Sequence, residues 1–175
     1  LLRRLAAAFE TCAGALTAQD PHKAALALRA FSVAHDSLIA LGAGIDAARY
    51  SARWSLRGRL TARAVTGMAA RYDRRAIRLY ASSLLFGEAF ADAIRKGEQP
   101  VPQGLAACIQ EAAMRCTHLS DDRSATGSVA ARAPEPADVA PGWRTVVDHC
   151  RSVSEVLSSL EELRRRLVTR SQDAE

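Results

Sequence analysis

Between Pro21 and Pro100 the chain runs for 78 residues without a proline. Proline deletes a helical hydrogen bond and clashes with the preceding turn, so its absence over such a length leaves helix free to form. The residues that fill the run are mainly Ala, Leu and Arg, all strong helix formers. A single helix over 22–98 would be ~115 Å long, too long for a compact domain of this size. The run must therefore turn back on itself. Ser55-Leu56-Arg57-Gly58 is the best place, since Ser can cap a helix and Gly can take the left-handed conformation that ends one. Thr66-Gly67 is the second choice.

Hydrophobic residues make up 49% of the chain but aromatics only 5%, so its apolar mass is Ala, Leu and Val. No segment alternates Val, Ile, Thr or Tyr in the manner of a strand. The expected fold is all-α, an antiparallel bundle of four to five helices in one domain spanning 1–175. Leu2, Leu5, Phe9, Cys12 and Leu16 step along one helical face. Asp20-Pro21 should end that helix and start the next, with Asp20 as cap and Pro21 at the first position. Leu28, Phe31, His35, Leu38, Ile45 and Ala52 form the expected core row of the second helix, which makes His35 a buried histidine. Ile77, Tyr80, Leu84, Ala91 and Ile94 form that of the third, ending at Lys96-Gly97. Gln99-Pro-Val-Pro102 reads as a rigid elbow.

Leu105, Ile109, Ala112, Cys116 and Leu119 mark a fourth helix. The composition over 120–142 shifts to Ser, Asp, Ala, Gly and three prolines, which predicts a flexible connection. The last helix has the cleanest seam: Trp143, Val146, Cys150, Val153, Leu157, Leu160, Arg164 and Leu167. The first and last helices are expected to pack together.

The four cysteines (Cys12, Cys108, Cys116, Cys150) form no CxxC pair, and three lie on apolar stripes, where Cys acts as a small hydrophobe. His118 and His149 stand beside two of them, but zinc-ligand spacing is absent, so no metal and no cofactor is expected. A di-iron bundle would need Glu-x-x-His on two helices, which the chain lacks. Glu88 and Asp92 read as a solvated acidic pair. No nucleophile elbow, phosphate loop or HExxH occurs, and no enzyme activity is expected. A reduced, cytosolic setting follows from the cysteines. The longest uncharged run, Gln99–Gln110, is too short to span a bilayer.

The net charge is +5, and 22 of the 24 basic residues are arginine. GC-rich coding accounts for that ratio but not for the clustering. Nine arginines fall between Arg49 and Arg78 with one acid, Asp73, among them. Folding at Gly58 would collect Arg53, Arg57, Arg59 and Arg63 at one end of the bundle. Such a cap could face anionic lipid headgroups, each residue contributing ~1 kcal/mol near the surface. A solvated face paired with acids from other helices is the plainer reading. Nucleic acid is disfavoured, because single-strand binders interleave aromatics and only Tyr50, Trp54 and Tyr72 lie close.

The run Leu28–Leu60, with "ARYSARWSLRGRL" at its end, the segment Tyr72–Arg78 and "RKGEQPVPQGLAACIQEAA" resemble the soluble helical region of fusaric acid resistance-like (aromatic acid exporter) membrane proteins of the actinobacterial type. The resemblance covers most of 1–119, and Glu98–Pro102 with the basic turn matches best. It departs at Leu56, where the family has Pro, and at Ile77-Arg78, where an Arg-Asn pair is usual. The resemblance implies a non-catalytic cytoplasmic domain near the C-terminus of a transporter for aromatic acids or related compounds, acting in assembly, gating or substrate access. It implies as partners the protein's own transmembrane portion, inner-leaflet lipids and further copies in a homo-oligomer. The full-length protein would sit in the cell inner membrane with this domain on the cytoplasmic side. The alternative is a cytosolic bundle that binds nucleic acid or a protein partner.

Overall fold

The computed structural model describes residues 1–54, 58–121 and 139–172; within these, the side chains of 48–49, 51–54, 58–66, 68 and 167–172 lie outside the description. Five helices account for nearly all of the described chain, with no strand among the described residues. They are α1 (Leu2–Ala18), α2 (Pro21–Trp54), α3 (Gly58–Lys96), α4 (Leu105–Ser120) and α5 (Pro141–Gln172). The fold is an all-α bundle. The long proline-free run divides between Trp54 and Gly58, where capping chemistry placed the turn.

The junctions follow local rules. Gln19 takes the left-handed conformation (φ 48°) that ends α1. Asp20 Oδ1 then accepts hydrogen bonds from the backbone N–H of His22 and Lys23 at 2.8 and 3.3 Å, and Pro21 occupies the first position of α2. At the other end of the hairpin, Gly97 (φ 65°) closes α3, donating to Ile94 O while Glu98 N–H donates to Ala93 O. The Gln99–Pro100 peptide is cis. Trp143, wholly buried, anchors the start of α5 to this elbow by donating its indole N–H to Glu98 O at 3.1 Å.

Packing makes a ring in the order α1, α2, α3, α5, α4 and back to α1. The first and last helices, expected to pack together, are therefore not neighbours among the described residues: α4 stands between them. Neighbours run antiparallel except α4 and α5. Cys108 and Cys150 line one small cavity, Arg115 pairs with Ser154 and Ser158, and His118 with Arg164, so the two helices ascend side by side.

One core joins all five helices. The expected stripes of α1, α4 and α5 are buried from Leu5 to Leu16, Leu105 to Cys116 and Trp143 to Leu160. Those of α2 and α3 bury Phe31 and Ile94 as expected but shift by one residue at their other buried positions. The buried row of α2 is Ala24, Ala27, Phe31 and Ala34, which leaves His35 exposed beside the Tyr80 ring. That of α3 is Ala76, Leu79, Ser83, Phe86, Phe90 and Ala93, with the expected Ile94 buried beside them and Ile77 outside. The aromatic residues explain the shift. Phe9, Phe31 and Phe86 meet at 5.0 to 6.3 Å between ring centroids, and Phe90 extends the cluster to Trp143. Burying these rings sets the rotation of both helices.

Part of the stretch expected to be flexible is ordered. Val139 belongs to the core and α5 begins at Pro141; 122–138 lie outside the described residues. A second correction concerns α2. Its Pro21–Ala47 portion is long and apolar enough to cross a membrane by length and composition alone, although no uncharged run there suggested it.

Candidate functional site

The candidate site lies beside the first turn of α1 and the last turn of α4, against the long helices α2, α3 and α5. At 1.5 Å per residue α1 and α4 are roughly 25 Å long, while α2, α3 and α5 reach roughly 50–60 Å. Among the described residues, Leu2 of α1 and Ser120 of α4 stand together at a shoulder against the three long helices. Both short helices are fixed there by polar contacts. Arg4 donates to Val33 O of α2 at 2.9 Å, and Arg3 pairs with Asp121 at 3.1 Å.

A cavity of about 520 Å³ opens at this shoulder. Leu1, Leu2, Leu41, Ala76, Leu79 and Leu160 supply apolar walls, and Ser37, Ser120, Tyr72 and Arg3 supply polar groups. Its size falls in the range that accepts small organic molecules. Tyr72 is mostly buried here, and burial raises its phenol pKa, with Arg164 acting in the opposite direction. The phenol thus stays protonated and able to donate at neutral pH. An apolar body with one polar or anionic end would match this lining.

Arg57 lies outside the described residues, as do the side chains of Arg53, Arg59 and Arg63, so their gathering at the bend is a sequence expectation only. Later members of the arginine run are described. Arg71, Arg74 and Arg78 form an exposed row on α3. Arg75 is committed to the fold: its Nε donates to Ser159 Oγ at 2.6 Å and its Nη1 to Arg71 O. Asp92 is held by Arg95 and Lys96 on the surface, which keeps its carboxyl below the usual carboxylate range. Among the described residues no three of His, Cys, Asp and Glu converge as metal ligands would.

The most developed polar site was missed by sequence reasoning. Arg115, 5% exposed, lies between α4 and α5. It holds both carboxylate oxygens of Glu161 at 2.7 and 2.8 Å, and its other donors reach Ser154 and Ser158 at 3.1 and 2.8 Å. Glu111, also buried, stands 3.7 Å from its guanidinium. A bidentate pair with its remaining donors satisfied is a strong contact, and it locks the two parallel helices in register. The sequence carries a signal for it. Ser154, Ser158 and Glu161 step by four and three beside the α5 seam, and Glu111 precedes Arg115 by one turn.

No family model matches the chain, and no curated protein or solved structure does. What the fold defines is an all-helical bundle with a shoulder cavity and one helix, α2, that exposes large apolar residues at Leu26, Val33 and Ile39.

Proposed function

We propose that this chain is a non-catalytic helical domain of a membrane transporter for aromatic acids or related compounds, acting in assembly, gating or substrate access. The substrate class rests on the resemblance at Leu28–Leu60 and Glu98–Pro102. The observation that carries the rest is the outer face of α2. Leu26, Val33, Ala40 and Ala47 recur at heptad spacing and all are exposed, and only 22% of the helix's most apolar stretch is buried. An exposed apolar row on a helix normally marks a surface that a partner covers. The cover that fits a heptad row is another helix, supplied by the transporter's membrane portion or a neighbouring copy.

The gene provides the first test: codons before Leu1 should encode about six apolar segments of ~20 residues each. Their absence overturns the reading. In the full-length protein, Leu26→Asp with Val33→Asp should release assembly while the domain keeps its helical circular dichroism. Unchanged assembly would remove α2 from the docking surface.

The exposed row Arg71, Arg74 and Arg78 favours a second reading, an anionic partner. DNA affinity that falls steeply with salt would support it and count against the transporter.

A further inference from the structure

Cys108 lies in the first turn of α4 and Cys150 in the third turn of α5, with 41 residues between them in the chain. The parallel course of the two helices brings them together. Their side chains face one another between the helices, close enough for each thiol to shift the titration of the other. Both line a cavity of about 10 Å³ between the helices, shared with Glu111, Arg115 and Ser154 and large enough for one water. The residues also reach solvent at the helix edge, Cys108 at 7% and Cys150 at 5% exposed, whereas Cys12 and Cys116 are fully enclosed at 0%.

We propose that Cys108 and Cys150 are a redox site: a dithiol that a low-molecular-weight disulfide oxidises to a covalent strap between α4 and α5, with Cys108 as the attacking sulfur. The reaction has two exchange steps. The Cys108 thiolate attacks one sulfur of the small disulfide, whose S–S bond breaks; the departing thiolate takes up the proton that Cys108 lost. Cys150 then gives up its proton and attacks Cys108 Sγ, and the second small thiol leaves. Two protein thiols become one disulfide, and two electrons pass to the small disulfide, which ends as two thiols.

The surroundings select this pair and its direction. Hydrogen-bond donation from the Cys150 thiol stabilises a Cys108 thiolate and lowers its pKa, partly offset by burial and by Glu111. The same donation, followed by burial, raises the Cys150 thiol, which therefore keeps its proton until Cys108 has reacted. Burial pushes the Cys116 thiol up to about 12 and raises that of Cys12, leaving both unreactive. The alternative is that all four are merely small apolar residues, and it makes a different prediction.

The test treats the reduced full chain with 2-hydroxyethyl disulfide, then blocks remaining thiols with iodoacetamide in denaturant and maps the peptides. The expected product joins Cys108 to Cys150 and leaves Cys12 and Cys116 alkylated, with a mass loss of two hydrogens before blocking. In the native chain, iodoacetamide should label Cys108 at least ~10-fold faster than Cys12 or Cys116. Cys150→Ser should stop the reaction at a mixed disulfide on Cys108, and Cys108→Ser should abolish it. Cys150→Ala and Cys108→Ala serve if serine is not tolerated. Four free thiols after treatment, a link to Cys12 or Cys116, or equal labelling of all four would overturn the proposal.

Discussion

Single residues decide how tightly this bundle closes. Ser83 sits in the core row of α3, fully enclosed, and its hydroxyl has no hydrogen-bond partner. Burying an unpaired hydroxyl costs about 1–3 kcal/mol, so Ser83→Ala should raise stability by ~1 kcal/mol in urea unfolding. Gly87 has the opposite character. A Cβ there would come within 2.5 Å of the Phe31 ring, which is itself wedged against Phe9 and Phe86. Gly87→Ala should therefore destabilise by about 1–3 kcal/mol despite its better helix propensity, read as a lower denaturation midpoint. Arg115→Met should be more damaging, since it strands Glu161 and Glu111 beside apolar surface. A loss of about 3–5 kcal/mol is expected at neutral pH. Replacing Arg115 and both glutamates together by apolar residues should restore much of it.

At the scale of elements, the ends were legible and the faces only partly so. Caps are local chemistry: Asp20-Pro21 and Lys96-Gly97 each act within one turn, so neighbouring residues suffice to place them, while 55–57 lie outside the described residues. Asp20→Ala should cost about 1 kcal/mol, detectable as a lower Tm with the fold retained. Rows on α1, α4 and α5 were readable because each has one wide apolar stripe against polar flanks. On α2 apolar residues spread round much of the helix, and on α3 two adjacent apolar rows, one through Ile77, Tyr80 and Leu84 and one through Ala76, Leu79 and Phe86, compete. The competition was settled by Phe31, Phe86 and Phe90 packing on Phe9 and Trp143. His35 was misplaced for that reason, not through any property of its own. The cavity and the Arg115 site escaped because each needs the register between helices, and no local spacing carries it.

Over the whole molecule, the unequal helices give an uneven distribution of cover. Ala24, Ala27, Phe31 and Ala34 hold the lower half of α2 in the core, and none of the described residues after Ala34 on that helix is buried. Amides of Gly42–Ala47 should thus exchange at least ~10-fold faster than those of Ala24–Ala34 in the isolated domain. Equal protection would mean that the outer face is already covered there, by a second copy. In the full-length protein the difference should shrink as the proposed partner helix docks.

The sequence by itself determined that this protein is helical, where four of its helices begin or end, and which stripes of α1, α4 and α5 are apolar. Propensity, capping and periodicity act over a few residues and are written in order along the chain. Only the tertiary structure decided that α4 rises parallel to α5, that α1 packs against α4 and not α5, and that Cys108 meets Cys150. Those outcomes depend on how aromatic rings and a buried guanidinium fill space between helices distant in sequence. The proline-free run is two helices, as its length required, but what they cover and what they leave bare was settled by packing.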